Sequence, residues 1–400
     1  MSWTKILKLI ATYLVGNILY LLSMMVPKSK KIWVFGAWGG NQYADNPKYL
    51  FEYVNEFHPE INAIWLTRQK EIEKKIESKG YKAFQTNSIK GIWYSCRAKV
   101  GAMSHGMIDL NRFACARMEI VQMWHGIPIK PILLSDPKKS SIAKRKLLTK
   151  LSFFFPFLKK ELRFNENLII CSSSKHVSKI LKKAFGSNSP IRITGFPRLD
   201  GFFRTEEENP LKKKIRDLQR ENVRVGIYMP TWRQKGEFNI IKYLTENLQD
   251  IDKFLKGNKL SLFLRIHPFD QHELPKEFNF DCIHLITNEM IEGDIYSVLG
   301  AFDFLVSDYS SVIFDYLIKE SPIYLMVPDR KDYIESNGKF VYDYKNIELP
   351  VEQSWGKLLP RLNEDNYQSQ ETITKLSSKY HKYKDGNSSK RLFDQIIKRA

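Results

Sequence analysis

The 400-residue chain has little cysteine: Cys96, Cys115, Cys171 and Cys282 lie far apart, and none forms a Cys-x-x-Cys pair. That argues against a zinc site or a dense disulfide framework and fits a reducing compartment. The chain is also short of acidic charge. Asp plus Glu number 44 against 63 Lys plus Arg, a formal net charge of +19. Such a surplus favours an anionic partner: nucleic acid, anionic lipid or a phosphorylated substrate. No Gly-x-Gly-x-x-Gly fingerprint and no Walker A lysine occur. No internal repeat or low-complexity tract occurs either. The one Asp-x-Asp, Asp250-Ile251-Asp252, falls in a polar helical stretch and is a poor metal site, so no metal ligand is assigned.

What the chain does hold is apolar mass. Hydrophobic residues make up 43% and aromatics 13%, enough for real cores and for about two domains at this length. Leu9 to Val26 carries no charge, with Lys5 and Lys8 before it and Lys28, Lys30 and Lys31 after it. The run is at the short end of what spans a bilayer. A membrane anchor or in-plane helix is the preferred reading over a core helix. Ser23-Met24-Met25-Val26-Pro27 offers no small-x-small signal cleavage site. Lysines on both flanks leave the orientation unset.

A second stretch, Lys138 to Arg163, interleaves Lys144, Arg145, Lys146 and Lys150 with Phe153, Phe154, Phe155 and Phe157. Basic heads attract anionic headgroups and rings bury at the interface. Lys144, Arg145, Lys146, Lys150, Phe153 and Phe154 are therefore the expected membrane-binding residues. Pro156 argues against one uninterrupted helix. A solvated basic loop is the bland alternative, and no base-reading motif supports nucleic acid.

Between these features, short apolar runs alternate with polar helical segments. Ile32–Ala37, Asn62–Thr67, Lys99–Ser104, Glu119–Trp124, Leu168–Cys171 and Ile191–Thr194 read as strands. Pro47–Phe57, Lys70–Lys79 and Ser174–Phe185 read as helices between them. After the polar segment Thr205–Asn222 the alternation resumes with Arg224–Met229, Leu260–Ile266, Ile283–Ile286, Phe302–Val306 and Ile323–Met326. This pattern predicts βαβ units and two Rossmann-like halves. Ligands of such sheets bind at the carboxyl ends of strands, so chemistry is sought in the loops that follow them.

Four such loops are unusual. Trp124-His125-Gly126-Ile127-Pro128 places an imidazole on a forced turn, where it could act as a general base for a hydroxyl. Tyr228-Met229-Pro230-Thr231-Trp232-Arg233 offers a guanidinium for phosphate, with Thr231 to cap or touch a ligand. Arg265-Ile266-His267-Pro268 is expected to set a cation and an imidazole on one side of a strand end, suited to a diphosphate. Ser307-Asp308-Tyr309-Ser310-Ser311 opens a helical pattern running from Val312 to Lys319, so Ser310 and Ser311 sit where backbone N–H groups point outward. Each also has a bland reading: a histidine packed in a turn, a surface arginine, an ordinary helix cap.

Together, and with Gly195-Phe196-Pro197-Arg198-Leu199-Asp200, these motifs resemble in order those of the CDP-glycerol glycerophosphotransferases, the family of teichoic acid primases and polymerases. The resemblance implies an α/β, GT-B-like fold: two facing Rossmann-like domains with an N-terminal membrane-associated helix. Its expected divisions are 1–30 for that helix, 31–204 for an acceptor and membrane domain, and 205–400 for a CDP-donor domain. It implies transfer of glycerol phosphate from CDP-glycerol to a hydroxyl of a polyprenyl-diphosphate-linked disaccharide acceptor, releasing CMP, on the cytoplasmic face of a bacterial membrane. His125 would be the base. His267 would be the second catalytic residue, with Arg265, Ser310, Ser311, Asp308, Arg233, Thr231 and Arg198 around the phosphates. No cofactor is assigned; magnesium and a homo-oligomer stay open. Ile127 stands where members usually carry Thr, and Asn337-Gly338-Lys339-Phe340 replaces a usual Arg-Gly before an aromatic strand. The chain's length is more like the priming enzymes than polymerases with a long extra N-terminal region. The alternatives are a polymerase, a CDP-ribitol-using relative or a GT-B nucleotide-sugar glycosyltransferase.

Overall fold

A computed structural model describes residues 3–136, 150, 153, 168–186, 188, 190–204, 209–233, 237–267, 270–275, 277–291, 294–337, 340–341, 348–364 and 369–399. Lys144, Arg145, Lys146 and Phe154 lie outside the described residues, as does most of the basic stretch around them. Lys150 and Phe153 are described and exposed.

The first sheet has seven strands: β1 (Ser29–Gly36), β2 (Asn62–Thr67), β3 (Lys82–Gln85), β4 (Ala98–Met103), β5 (Glu119–Gln122), β6 (Leu168–Ser172) and β7 (Ile191–Ile193). Their order is β3-β2-β1-β4-β5-β6-β7, and every pairing is parallel. The second sheet has six strands: β8 (Arg224–Met229), β9 (Leu260–Leu264), β10 (Ile283–Leu285), β11 (Phe304–Ser307), β12 (Ile323–Met326) and β13 (Val351–Glu352). Its order, β10-β9-β8-β11-β12-β13, repeats the same winding, again all parallel.

Helical crossovers explain both the parallel pairing and the apolar strands. A strand covered on both faces must be apolar throughout, and all of Leu260–Leu264 is buried. Four of the helices start on side-chain caps that satisfy otherwise orphaned N–H groups. Ser88 accepts from Gly91 N, Ser174 from Val177 N, Asn209 from Lys212 N and Asn239 from Lys242 N. The polar segment after residue 205 contains the helix Pro210–Arg220, amphipathic, with Leu211 and Ile215 as its buried contacts. The strand order reverses between β1 and β4 in one sheet and between β8 and β11 in the other, which opens a crevice at those carboxyl tips.

Two compact units carry these sheets. One comprises Met1–His125, Ile132–Asp200 and Asp385–Ala400; the other comprises Gly126–Pro131 and Gly201–Lys384. The segment 385–400, placed in the second domain by the sequence division, thus groups with the first sheet. Asp200 receives the Ser388 and Ser389 N–H groups at 2.8 Å each, and Phe393 packs on Trp33. Conversely Gly126–Pro131, expected in the first domain, groups with the second sheet. Val341 N donates to Ile129 O at 2.7 Å.

The N-terminal helix Trp3–Met25 packs on the first unit by an unusual face. Tyr13, Gly16, Asn17, Tyr20 and Ser23, at helical spacing, turn inward. A Cβ on Gly16 would lie 2.4 Å from the Phe113 ring, and Ser23 Oγ accepts from Ala116 N at 3.2 Å. The apolar side faces out: Leu14, Val15, Ile18, Leu21, Leu22, Met24 and Met25 are exposed, Val15 by 66% and Met25 by 79%. No helix of the described residues is long and apolar enough to cross a membrane.

Candidate active site

In the first unit the polar residues gather at the tips of β1, β4, β5 and β7. His125 follows β5 across Trp124, whose φ of 54° is in the left-handed region. Trp38 after β1 and Asp45 share that conformation, with φ of 51° and 66°. Bulky residues rarely hold it without tertiary support, and such strain gathers at functional sites. The support is visible. Trp124 N donates to Gln122 Oε1 at 2.9 Å, and Asn46 Nδ2 donates to Trp124 O at 2.7 Å. Arg198 Nη1 donates to His125 O at 2.8 Å and to Asp45 Oδ1 at 3.0 Å. Arg198 is buried, and the donors described for it hold the His125 loop in place.

The His125 ring stacks on the His105 ring, centroids 4.2 Å apart at 14°, with Trp124 at 4.2 Å and Trp38 at 6.1 Å. His105 is itself fixed. Asp109, fully buried, accepts from His105 N at 2.7 Å, from Ser104 N at 2.9 Å and, through its other oxygen, from Gly39 N at 2.7 Å. One carboxylate therefore ties the β1 and β4 tips together. Burial, with smaller repulsion from His105 and Arg198, pushes the His125 imidazole down to about 3, so the ring is neutral at ordinary pH. Its Nδ1 is buried with no hydrogen-bond partner among the described residues.

In the second unit Thr231 and Asp308 meet across the point where strand order reverses. Asp308 Oδ1 accepts from Thr231 Oγ1 at 2.6 Å and from Thr231 N at 2.8 Å. Arg233 lies buried between two carboxylates: Nη2 to Asp308 Oδ2 at 2.8 Å and Nε to Asp329 Oδ2 at 2.8 Å. Tyr309 OH donates to Asp329 at 3.1 Å, and the Arg233 guanidinium lies over the Tyr309 and Tyr333 rings, themselves stacked at 3.9 Å. The paired carboxylates hold Arg233 firmly charged, while burial pushes the Asp308 carboxyl up. Lys130 sits 4.5 Å over the Tyr333 ring. These contacts among Thr231, Arg233 and Asp308 tie the β8 and β11 tips together.

Arg265 and His267 lie just past β9, which ends at Leu264, two residues before the Ile266 expected from the sequence. Arg265 Nη2 donates to Asn288 Oδ1 at 2.7 Å. His267 is exposed beside Trp232, ring centroids 5.9 Å apart. Burial lowers its pKa, Asp270 opposes that, and the Arg265 charge adds to the lowering. Ser310 and Ser311 precede the short helix Val312–Tyr316, which tightens into a 3-10 turn over Leu317–Lys319. Ser310 Oγ accepts weakly from Val312 N at 3.4 Å. Among the described residues no group of three His, Cys, Asp or Glu side chains could hold a metal ion.

Sequence reasoning missed His105, Asp109, Asp329, Tyr309 and Tyr333. The signal for His105 was present: Ser104-His105-Gly106 follows β4 as Trp124-His125-Gly126 follows β5. Asp109 and Asp329 carry no such local mark.

Two parallel sheets of this winding, with their polar clusters at strand tips, define an α/β protein of two Rossmann-like domains. The chain belongs to the CDP-glycerol:poly(glycerophosphate) glycerophosphotransferase family, whose model matches residues 18–398. It is an enzyme that transfers glycerol phosphate, and the resemblance drawn from the motifs is borne out. A teichoic acid poly(glycerol phosphate) polymerase of Bacillus spizizenii is 25% identical over 392 residues, covering 95% of each chain. A teichoic acid glycerol-phosphate transferase of Staphylococcus aureus is 27% identical, covering 92% of this chain and 94% of that one. Against a polymerase of Bacillus subtilis the chain spans only 50% of the relative's length. Length therefore does not separate priming from polymerising, contrary to the expectation from size. Among solved structures, the wall teichoic acid polymerase TagF superposes with a TM-score of 0.72 at 20% identity, covering 99% of this chain and 97% of that one. A UDP-N-acetylglucosamine 2-epimerase of Listeria monocytogenes gives 0.54 at 12%, covering 92% and 96%. At such identities the likeness is one of fold.

Proposed function

We propose that this enzyme carries glycerol phosphate from CDP-glycerol to a hydroxyl of a polyprenyl-diphosphate-linked acceptor in teichoic acid synthesis. The acceptor oxygen attacks the phosphorus bonded to glycerol, the bond to CMP breaks, and His125 takes the hydroxyl proton. Arg265, His267 and the Ser310–Ser311 turn hold the diphosphate and offset the charge that grows on CMP. Arg198 and Asp109 act as positioning residues for the base, and the Arg233 brace fixes the loops of the donor site. The activities of the similar teichoic acid enzymes support this reading, as does a TagF variant soaked with CDPG, which superposes with a TM-score of 0.74.

The observation that carries the reading is the His125 ring, stacked on a second imidazole and held through its own carbonyl at a strand tip. Losing a general base costs about 10²–10⁴-fold in rate. His125→Ala should lose turnover by that factor while calorimetry with CDP-glycerol shows binding close to wild type; His267→Ala should weaken both. A fully active His125→Ala removes the base assignment. One added unit, as in priming, is the first reading for the product; repeated addition is favoured by the match over 95% of a polymerase. Product masses from a soluble acceptor analogue separate the two.

The enzyme works at the cytoplasmic membrane face. Its N-terminal helix spends its small and polar side on protein and turns its apolar side outward, the reverse of an ordinary surface helix and the pattern of one lying in the lipid interface. The basic stretch around Lys144, Arg145 and Lys146 adds attraction to anionic headgroups.

A further inference from the structure

The chemistry assigned so far leaves unused a polar cavity in the first unit. At the carboxyl tips of β2 and β3, Thr67, Arg68, Gln85, Thr86, Asn87 and Ser88 line a space of about 320 Å³. That lies within the usual size of small-ligand sites, roughly 300–1,000 Å³. The lining consists of hydroxyls, carboxamides and one guanidinium, with no carboxylate and no wholly apolar side chain. With Arg68 as its one charged group, such a wall gives little to an apolar ligand and suits a hydroxylated anion.

Arg68 is held in place by main-chain carbonyls: Nε donates to Gly39 O at 2.8 Å and Nη2 to Ile108 O at 3.4 Å. Neither bond neutralises its charge. A relay of contacts links the cavity to the proposed base without His125 lining it. Gly40 O accepts from Arg68 N at 2.7 Å and from Thr67 Oγ1 at 2.9 Å. Gly40, at φ 80°, comes so close that a Cβ there would lie 3.0 Å from Arg68 Cγ. The adjoining Gly39 N is bound by Asp109, which also holds His105, on which His125 stacks.

We infer that this cavity is the subsite for the acceptor chain, taking a glycerol phosphate or like hydroxylated phosphodiester unit next to the hydroxyl that reacts. The inference rests on the transfer reaction proposed above. Arg68 meets the phosphate and Asn87 meets the hydroxyls, the Gln85 amide already donating to Glu73 Oε2 at 3.1 Å. Its test is separable from turnover. A soluble glycerol phosphate oligomer is titrated calorimetrically into the full chain without lipid, for wild type, Asn87→Ala, Arg68→Ala and Arg68→Lys. A lost hydrogen bond to a charged group weakens binding about tenfold or more, so Arg68→Ala should raise Kd by at least that factor. Arg68→Lys should recover part of it, and Asn87→Ala, which leaves the Gly39 contacts intact, should show a smaller rise. CDP-glycerol affinity should stay unchanged in all three. The inference is overturned if the oligomer Kd is the same in every variant, if CDP-glycerol affinity falls instead, or if inorganic phosphate alone binds as tightly as the oligomer. It is also overturned if Arg68→Ala loses flotation with anionic vesicles while keeping oligomer affinity, which would make the cavity a headgroup site. An inactive wild type that still binds the oligomer through Arg68 would refute the transfer reaction and leave the subsite standing.

Discussion

Replacing Arg233 by methionine keeps the stem and removes the charge from a place where both partners are buried. Asp308 is wholly inaccessible and Asp329 nearly so. The guanidinium gives them three hydrogen bonds, at 2.8, 2.8 and 3.2 Å. Removing one partner of a buried pair leaves uncompensated charge and costs about 3–5 kcal/mol. At roughly 2–4 °C per kcal/mol for a unit of this size, melting should fall by about 6–20 °C. The pH dependence has a definite sign. Burial already raises the Asp308 carboxyl, and Arg233 opposes that rise. Without Arg233 the folded-state value climbs further above the unfolded one. The folded variant then binds more protons than the unfolded chain, so its stability improves on acidification relative to wild type. Thermal melts of both proteins at about pH 7.5 and about pH 5.5 should show the deficit shrinking at the lower pH. A melting point within 2 °C of wild type, or a deficit that widens with acid, would refute the brace. It would return Arg233 to the phosphate role that its motif first suggested.

Other outcomes follow from the same geometry. Because the His125 pKa is lowered from 6.5 to about 3, the unfolded chain accepts a proton that the folded one refuses. Stability from this group is complete above about pH 6.5 and is lost as pH falls toward 3; His125→Gln should flatten that part of the stability curve, and an unchanged acid slope would contradict the burial argument. Gly36→Ala puts a Cβ 2.0 Å from the Asp109 carbonyl oxygen, so it should cost about 1–3 kcal/mol or more in urea unfolding and lower turnover by shifting the Asp109–His105 turn. Val15, Ile18 and Leu22, each changed to Glu, should reduce flotation with anionic vesicles and leave the melting point within a few degrees; full retention of flotation would dismiss the outward face as a lipid contact. Charge reversal at Lys144, Arg145, Lys146 and Lys150 tests the basic stretch by the same assay.

Most of the architecture was legible because its causes are local. Buried parallel strands are short apolar runs, and those from Asn62–Thr67 and Arg224–Met229 emerge with the same bounds in the structure. The edge strands Lys82–Gln85 and Val351–Glu352 escaped, since a half-covered strand needs no apolar run. Strand-tip motifs were equally legible, because glycine, proline and histidine mark turns by their own stereochemistry. What each polar side chain does was less so: Arg233 and Arg265 look alike in sequence, yet one is enclosed by two carboxylates and the other rests against an asparagine.

Two doubly wound sheets, an N-terminal helix uncharged from Leu9 onward and a set of strand-tip loops that place the chain in its family are all written in the sequence alone. Periodicity and turn chemistry are properties of a few neighbouring residues, and they survive without knowledge of the rest. Only the tertiary structure decided that His105 lies under His125, that Asp109 joins two loops, that Arg233 is spent internally, and that the N-terminal helix shows its apolar side to the outside. Those are facts about residues far apart in the chain, and burial and pairing exist only once folding has brought them together.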